Sequence, residues 1–561
     1  MASIIKKKKG NSIYYYYAES KRVNGKPRIV AQKYLGKAKD ILKKVNKNDP
    51  VKPYTGKVFD FGLVAAIYTI ARKLKIKEII DSIVPKRNQG LSIGTYILIA
   101  TINRATVPKS KNRMANWFKE TVLRRLITTP LKSLTSQRFW DHMEYFNKEI
   151  IRKCENEIIK HMLSLYDLDL KTVVYDATNF FSYINTTTDS ELAQRGHNKQ
   201  KRDDLRQISL ALMSTTDFLV PLFYELYHGN TLDHQEFESL TERLAERYQM
   251  LSENCKQITM ILDKGNIKKK TMDNLKNSEY GFVCSLSPAN HKELINIPED
   301  KFKTLSGEYT GEKSYRVVYK AFNVEGTAIV LDNEELRLGQ LQSIIIKSRK
   351  ISQAIKRIQK KLERRRLGLV TKGRKPTVKS ITKQINDLIT GKYIKQIVTY
   401  EVTEKEGVPS VAYTIKHDKL NNIIRKKLGK TILFTDRNDW SDEKIIAAYR
   451  GGGAFEASFH YLKSPDFIRW QPVYHWTDDH VRVHAFYCIL SLICQSILHK
   501  TISDNGIDMS RKEIMDTLSG IDELVHIYPE KSKIKDHFTL SKMNKKQKKL
   551  YEILQLEEFA P

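Results

Sequence analysis

The sequence predicts a multidomain α/β protein with a mixed central sheet, and three observations lead to this fold class. Short strand-like apolar runs follow one another in the middle of the chain, with a helical pattern between them. The chain has 561 residues, more than one hydrophobic core usually serves. Its residues are 41% hydrophobic and 29% charged, a balance typical of folded proteins with large cores. We therefore expect several domains.

Residues 1–50 are predicted to form a basic β-hairpin region. Two β-prone runs, 13–17 and 28–35, flank Asn24-Gly25. Asn-Gly between such runs is the strongest short-range signal for a two-residue hairpin turn. We expect the chain to open with this hairpin.

Residues 51–165 are predicted to form a helical region. Apolar residues recur at helical spacing between 60 and 148, with interruptions at Gly90, Pro108 and Pro130. Many Lys and Arg residues on these helices favour DNA binding. A plain helical packing domain explains the pattern equally well, because no helix-turn-helix pattern stands out.

Residues 166–290 are predicted to contain the first part of the sheet domain. A helical crossover at 235–251 separates three strands from two more, at 172–176, 207–213, 219–227, 258–263 and 281–286. If the first and fourth strands are adjacent and parallel, their carboxyl ends meet at the edge where open α/β sheets bind ligands. Asp176 and Asp263 are the last residues of those strands, so we expect their carboxylates to lie together.

Residues 291–430 are predicted to interrupt this sheet as an inserted domain. Its β-like pieces at 314–322 and 328–331 precede a helical stretch, and the sheet pattern resumes at 431–436. The remaining predicted boundaries are 431–500 for the second part of the sheet domain and 501–561 for a C-terminal helical region.

The insertion contains an extremely basic helical stretch. Residues 347–379 include 14 Lys and Arg against one acidic residue, Glu363. An apolar stripe at helical spacing accompanies them, at Ile351, Ile355, Ile358 and Leu362. We interpret the stretch as a basic amphipathic helix pair that lies along DNA, because such a charge repels itself without a polyanion. A solvated helix face is the alternative. The predicted DNA contacts are Lys347, Arg349, Lys356, Arg357, Lys360 and Arg364.

The charge of the whole chain also indicates a polyanionic partner. The sequence has 97 basic and 64 acidic residues, which leaves a formal charge of +33. Neutralising nucleic acid phosphates releases condensed counterions, so nucleic acid is the first candidate partner. A ribosome-associated or membrane-surface protein is the alternative.

The cysteines and apolar segments predict a soluble cytoplasmic protein without a membrane partner. Five cysteines without any Cys-x-x-Cys pair suggest neither a disulfide framework nor a zinc site. The basic N-terminus lacks the apolar segment of a secretory signal. The longest apolar stretch, 485–498, is short for a bilayer span.

A helix predicted after the strand at 431–436 carries a third acidic residue of interest. Tyr449, Glu456 and Lys463 are spaced by seven residues, which is close to two helical turns. We therefore expect them to project from one face of a single helix. That face offers a carboxylate together with two groups that bind phosphate.

Asp176, Asp263 and Glu456 form the predicted catalytic and metal-binding set. Magnesium prefers oxygen ligands and often bridges carboxylates to substrate phosphates. Two such ions about 4 Å apart can activate an attacking oxygen and stabilise a leaving oxygen. A single Asp that closes a strand is more often a turn or cap residue. Together the three carboxylates predict a divalent-metal site for cutting nucleic acid.

Several short motifs resemble those of one enzyme family. They are Val174 to Thr178, Leu262 to Asn266, Tyr449-Arg450 through Glu456 to Lys463, Lys33 to Gly36, His228 to Thr231, Leu462 to Pro465 and Tyr474-His475. In sequence and order they resemble a DDE transposase of a bacterial insertion sequence, in the group with a Tyr-Arg-Glu-Lys motif. The resemblance spans essentially the whole chain.

The resemblance implies a ribonuclease-H-like catalytic core, interrupted by a β-rich insertion between the second Asp and the Glu. It also implies two Mg²⁺ ions on Asp176, Asp263 and Glu456, with Mn²⁺ as a substitute. Tyr449 and Lys463 then contact phosphates near the cleaved end. Such an enzyme binds the terminal inverted repeats of its element, cleaves them and joins the 3′-hydroxyl ends to target DNA, as a nucleoid-associated homodimer on double-stranded DNA.

One position departs from the family motif. The family's Arg position is Gly452 in this chain, and Arg450 is the predicted substitute. Gly451-Gly452-Gly453 indicates either a helix break or a close approach of DNA backbone, because each glycine inside a helix costs about 1 kcal/mol. Two other functions remain open: a structure-specific DNA nuclease, and a non-catalytic DNA-binding protein derived from a transposase.

Overall fold

The computed structural model divides the chain into two compact units. The first contains 1–62, 120–122 and 517–561, and the second contains 63–119 and 123–516. The structure describes every residue except 1, 24, 47–54, 86–89, 186, 197, 199, 201, 232–257, 264–266, 268, 277–279, 454, 472 and 530–534. The predicted crossover helix at 235–251 lies outside the described residues.

Seventeen strands are present among the described residues. They are β1 (Ala2–Lys9), β2 (Ser12–Val23), β3 (Lys26–Gly36), β4 (Thr55–Asp60), β5 (Thr172–Ser182), β6 (Arg206–Thr215), β7 (Pro221–His228), β8 (Thr259–Leu262), β9 (Gly281–Leu286), β10 (Lys303–Thr304), β11 (Lys313–Ala321), β12 (Val324–Asp332), β13 (Val398–Lys405), β14 (Val408–Ile415), β15 (Lys430–Thr435), β16 (Asp522–Ile527) and β17 (His537–Leu540).

The α-helices of the described residues are α1 (Ala38–Asn46), α2 (Gly62–Lys73), α3 (Ile76–Ile83), α4 (Ile93–Ala105), α5 (Met114–Lys119), α6 (Leu123–Leu126), α7 (Ser136–Met143), α8 (Lys148–Leu165), α9 (Lys269–Lys276), α10 (Lys292–Ile295), α11 (Glu334–Arg366), α12 (Val378–Leu388), α13 (Ile394–Ile397), α14 (His417–Lys427), α15 (Asp442–Gly453), α16 (Glu456–Lys463), α17 (Asp478–Asp504), α18 (Arg511–Ser519) and α19 (Lys545–Ile553).

The first unit begins with an antiparallel sheet in the order β1-β2-β3. The predicted hairpin is confirmed: Val23 pairs with Lys26 across the turn, and Gly25 has the positive φ of 78° that such turns require. Strand β1 was not predicted, because its lysine run hides the period-two pattern.

The C-terminal region is not wholly helical, and that part of the prediction is wrong. Strand β16 pairs with both β17 and β4 in a second antiparallel sheet of the first unit. This sheet joins sequence-distant segments, so local periodicity near the C-terminus did not reveal it.

The second unit contains a mixed sheet of nine strands, in the order β10-β11-β12-β15-β9-β8-β5-β6-β7. Strand β8 runs parallel to both β5 and β9, while the other pairings are antiparallel. The predicted mixed α/β fold with a large central sheet is therefore confirmed. The parallel arrangement of β5 and β8, the condition for joining Asp176 to Asp263, is also confirmed.

The predicted insertion at 291–430 begins too early. Strands β11 and β12 pair with each other, and β12 pairs with β15, so these strands extend the central sheet. Elements α11 to α14 and the β13–β14 hairpin follow, with an apolar core that includes Ile355, Ile385, Ile394 and Ile397. The segment from α11 to α14 thus has a core of its own.

Helix α17 is the longest apolar helix of the second unit. It is the one described helix that is long and apolar enough to cross a membrane, yet 94% of its apolar window is buried inside the protein. Ser491 and Gln495 donate hydrogen bonds to carbonyl oxygens of α4. The helices expected between 60 and 148 are present as α2 to α7.

Candidate active site

Two parallel strands position the first two carboxylates. Tyr175 of β5 pairs with Leu262 of β8 at the last step of their parallel ladder. Asp176 directly follows Tyr175 and Asp263 directly follows Leu262. The two acids therefore lie at the same height along the two strands, just beyond the last pair of the ladder. Asp176 is half-buried and Asp263 is exposed.

Asp176 is not the last residue of its strand, and that prediction is wrong. Strand β5 continues to Ser182, because its other neighbour β6 pairs with it as far as Arg206. The shorter strand β8 ends at Leu262. At Asp176, strand β5 is still hydrogen-bonded to β6, but its pairing with β8 has ended.

Helices α15 and α16 lie on the sheet face that carries these acids. Side chains alternate along a strand, so Val174, Asp176 and Thr178 share one face of β5. A Cβ atom built on Gly452 would lie 2.5 Å from Ile261 Cγ2 and 3.8 Å from Val174 Cγ1. Helix α15 thus passes close over β8 at Gly452, where a larger side chain does not fit.

Tyr449, Glu456 and Lys463 do not lie on one continuous helix, and that prediction is wrong. Helix α15 ends at Gly453 and α16 begins at Glu456. Between them the Phe455 N–H donates to the Gly452 carbonyl oxygen at 3.0 Å, and the Phe455 side chain is buried. The glycine run weakens the helix, and burial of Phe455 stabilises the turn.

The structure nevertheless brings the three predicted acids to one cavity. Its volume is about 130 Å³, and Asp176, Asp263 and Glu456 line it together with Tyr449. Glu456 is exposed and lies in the first turn of α16, where the positive end of the helix dipole favours a carboxylate. The cavity therefore concentrates negative charge in a strongly basic protein.

Tyr449 adds a hydroxyl group to this cavity. Burial raises the pKa of that hydroxyl, a hydrogen bond with Ser285 opposes the rise, and the nearby Asp263 carboxylate adds to it. The Tyr449 hydroxyl therefore remains protonated at neutral pH, so it can donate a hydrogen bond to an anion.

Lys463 reaches the same face of β5 from the end of α16. Its Nζ donates to Thr178 Oγ1 at 2.6 Å and lies 5.2 Å from the centre of the Phe180 ring. Thr178 follows Asp176 by two residues, so Lys463 is held beside the strand face that carries the carboxylate. Sequence reasoning missed Thr178, although the alternation of β5 would have revealed it.

Arg450 does not line the carboxylate cavity. Its guanidinium forms an ion pair with Glu312 and stacks on the Tyr309 ring, 4.9 Å from the ring centre. Residues 307–312 precede β11, a segment that the sequence placed in the insertion. The predicted substitute for the family's arginine is thus engaged elsewhere, and Gly452 itself has no room for a side chain.

The six predicted basic contacts all lie on α11. That helix runs unbroken for 33 residues, and its stripe of Ile351, Ile355, Ile358 and Leu362 is buried as predicted. The basic side chains are exposed on the other faces, at Lys347, Arg349, Lys356, Arg357, Lys360 and Arg364. The helix pair is asymmetric, since the second helix, α12, has only 11 residues.

The side chains that line the cavity have the ligand chemistry that Mg²⁺ prefers, but they are not arranged as a metal centre. Three carboxylates supply the hard oxygen ligands that Mg²⁺ prefers. Within the described part of the chain, however, no three His, Cys, Asp or Glu side chains are close enough together to form a ready-made metal centre. The three acids share one cavity, but among the described residues they do not form a group that could hold a metal ion as it stands.

Comparison with known proteins gives a weak similarity to a solved DNA transposase. No family model and no curated protein matches the chain. Among solved structures, a piggyBac transposase synaptic complex with hairpin DNA is 11% identical over 82% of this chain and 78% of that chain, with a TM-score of 0.34. At this TM-score the similarity does not establish a shared fold.

Proposed function

We propose that this protein is a DDE-type DNA transposase with a ribonuclease-H-like catalytic core. The observation that carries the proposal is the convergence of Asp176, Asp263 and Glu456, from three separate elements, on one cavity beside Tyr449. The strongly basic chain supplies the affinity for DNA that such an enzyme needs. Its substrates are the inverted terminal repeats of its own element and target DNA, bound by a homodimer.

In this proposal Asp176, Asp263 and Glu456 would hold Mg²⁺ ions, and metal bound there would supply Lewis-acid chemistry for phosphoryl transfer. Asp176 is the rigid member, because β5 is hydrogen-bonded beyond it. Glu456 is the adjustable member, since it follows the interruption between α15 and α16.

The residues around the acids bind and orient the phosphate. The protonated Tyr449 hydroxyl donates to a non-bridging oxygen. Lys463 exchanges its hydrogen bond with Thr178 for a charge-assisted bond to phosphate. The basic face of α11 contacts the backbone of the same DNA. Phosphoryl transfer needs mainly such positioning and charge neutralisation.

Incubating the purified protein with Mg²⁺ and the DNA that flanks its gene tests this function. We expect cleavage at fixed positions on both sides of the gene, with 3′-hydroxyl ends that are then joined to a second DNA. EDTA abolishes both steps. Cleavage that depends on DNA structure and not on these end sequences would instead identify a structure-specific nuclease.

A non-catalytic DNA-binding protein is the second candidate. It is favoured by the spacing of the acids, which form no ready-made metal centre among the described residues. Titration calorimetry with Mn²⁺ in the presence of end DNA distinguishes the two. Binding of Mn²⁺ that is lost in Glu456→Gln supports the transposase, whereas DNA binding without any metal uptake supports the second candidate.

Lys463→Gln is expected to weaken binding of end DNA by about 10- to 100-fold. A hydrogen bond to a charged group contributes about 1.5 to 3 kcal/mol, and 1.4 kcal/mol corresponds to tenfold in affinity. Lys444→Gln is the matched control, because Lys444 is exposed on α15 and stacks on Trp440, 4.2 Å from the ring centre. Equal losses in the two variants, measured by fluorescence anisotropy, would contradict a role for Lys463 at the site.

A further inference from the structure

The N-terminal sheet β1-β2-β3 has a face that the proposed catalytic chemistry does not use. Residues that pair directly across antiparallel strands share a face, and successive residues alternate. Lys6 and Lys8 pair with Tyr15 and Ile13, while Lys33, Arg28 and Lys26 pair with Tyr17, Lys21 and Val23. These β2 partners are all odd-numbered, so one face of the sheet, here called the open face, carries Lys6, Lys8, Lys21, Lys26, Arg28 and Lys33.

The opposite face of this sheet is occupied by the protein's own side chains. The Tyr34 ring lies 5.2 Å from the Tyr16 ring and 6.0 Å from the Tyr14 ring, measured between ring centres. Lys7 and Lys37 lie over the Tyr16 and Tyr14 rings. This aromatic cluster lies on the side of the sheet opposite the open face, with Tyr34 still 54% exposed.

The open face is arranged unfavourably for a sheet surrounded by water alone. Its six cations are exposed, and none of them is ion-paired among the described residues. Lys21 lies directly opposite Arg28, and like charges in that position destabilise a sheet. Glu19 is the acidic residue of this face. A polyanion removes the repulsion, so the arrangement indicates a polyanionic ligand.

We propose that the open face binds the phosphate backbone of duplex DNA, as a contact separate from the carboxylate cavity. Strand β2 has 12 residues and extends roughly 40 Å at about 3.4 Å per residue. This length is close to one turn of duplex, about 34–36 Å. The six cations of this face outnumber its two tyrosines, Tyr15 and Tyr17, so backbone contact prevails over base stacking.

Salt-dependent DNA binding by two charge-matched variants of the full chain tests the proposal. The open-face variant replaces Lys6, Lys8, Arg28 and Lys33 with Gln. The control variant replaces Lys7, Lys9, Arg22 and Lys37 with Gln, which removes the same charge outside the open face. Both also carry Asp176→Asn, which keeps the DNA intact. Anisotropy of a 30-base-pair duplex of arbitrary sequence gives the affinity at several KCl concentrations.

We expect the slope of log affinity against log salt to become about 3 to 4 units shallower in the open-face variant, because each phosphate contact contributes about 0.9. The control slope changes by less than about 1 unit. Smaller variants confined to β1, Lys6→Gln with Lys8→Gln against Lys7→Gln with Lys9→Gln, repeat the comparison where strand pairing is least disturbed. The salt slopes of these two smaller variants should differ by about 2 units.

Equal slopes in the two variants overturn the proposal, as does tighter binding of a 30-nucleotide single strand than of the duplex. The inference shares with the proposed function only the assumption that DNA is the ligand. If DNA cleavage is never observed but the open-face variant still has the shallower salt slope, the proposed function fails and this DNA contact is supported. Cleavage with no open-face effect refutes the contact and leaves the transposase function standing.

Discussion

Asp176→Asn is expected to reduce Mg²⁺-dependent DNA cleavage by about 10³-fold while DNA affinity stays within about threefold. Asn keeps the shape of the side chain, so the packing of β5 is maintained and only the anionic oxygen is lost. A metal ligand contributes several kcal/mol of transition-state stabilisation, and each 1.4 kcal/mol is tenfold in rate. Asp263→Asn and Glu456→Gln should lose similar amounts, as measured by single-turnover cleavage of end DNA.

Asp466→Asn is the control for these three variants. Asp466 is an exposed acid in the loop after α16 and does not line the cavity. Its replacement should leave the cleavage rate unchanged. A cleavage rate for Glu456→Gln that matches the rate for Asp466→Asn would remove Glu456 from the catalytic set, whatever the two aspartate variants do.

Gly452→Ala is expected to lower the free energy of unfolding by about 1 to 3 kcal/mol. The new methyl group would lie 2.5 Å from Ile261 Cγ2, so α15 must move away from β8, and overpacking of this kind costs about that amount. The displacement also carries Glu456 away from Asp263, so cleavage falls as well. Urea unfolding followed by circular dichroism measures the stability change.

Gly453→Ala is the matched control at the next position of α15. A Cβ atom there meets no other atom within 4 Å, and alanine is favoured over glycine inside a helix by about 1 kcal/mol. Gly453→Ala should therefore be neutral or slightly stabilising. Comparable destabilisation of both variants would show that flexibility of the glycine run, and not clearance above Ile261, explains Gly452.

The position of the first two acids was predictable because strand direction and side-chain alternation follow simple rules. Two apolar runs ending at Asp176 and Asp263 sufficed to place both residues at one edge, once β5 and β8 were assumed parallel. A further acid, Asp436, also closes an apolar run, and its local sequence is similar to those of Asp176 and Asp263. It accepts the Phe282 N–H at 2.8 Å, and burial raises the pKa of its carboxyl.

Strand direction separates Asp436 from the other two acids. Strand β15 is antiparallel to β9, and β9 is parallel to β8. The end of β15 therefore lies at the sheet edge where β8 begins, and Arg437 bonds Thr259 and the Ile258 carbonyl there. No local pattern encodes this direction, because it depends on how sequence-distant strands pair.

Other features of the site could not be predicted either, because they too depend on contacts between sequence-distant residues. The seven-residue spacing of Tyr449, Glu456 and Lys463 suggested one helix, but burial of Phe455 and the clearance above Ile261 depend on the sheet beneath. Arg450 is the predicted substitute for the family's arginine because it is the basic residue next to Tyr449, but it is engaged by a residue from a distant part of the chain. The partner, Glu312, lies 138 positions earlier in the chain.

By itself the sequence determined which residues can carry the chemistry: the acids, the basic surfaces, the hairpin turn and the apolar stripes, all encoded in residue type and short-range spacing. Only the tertiary structure decided which acids meet, where α15 stops and which cations are already engaged. Those outcomes depend on contacts between residues that are distant in sequence, whose free energies are set by strand pairing and packing across the second unit.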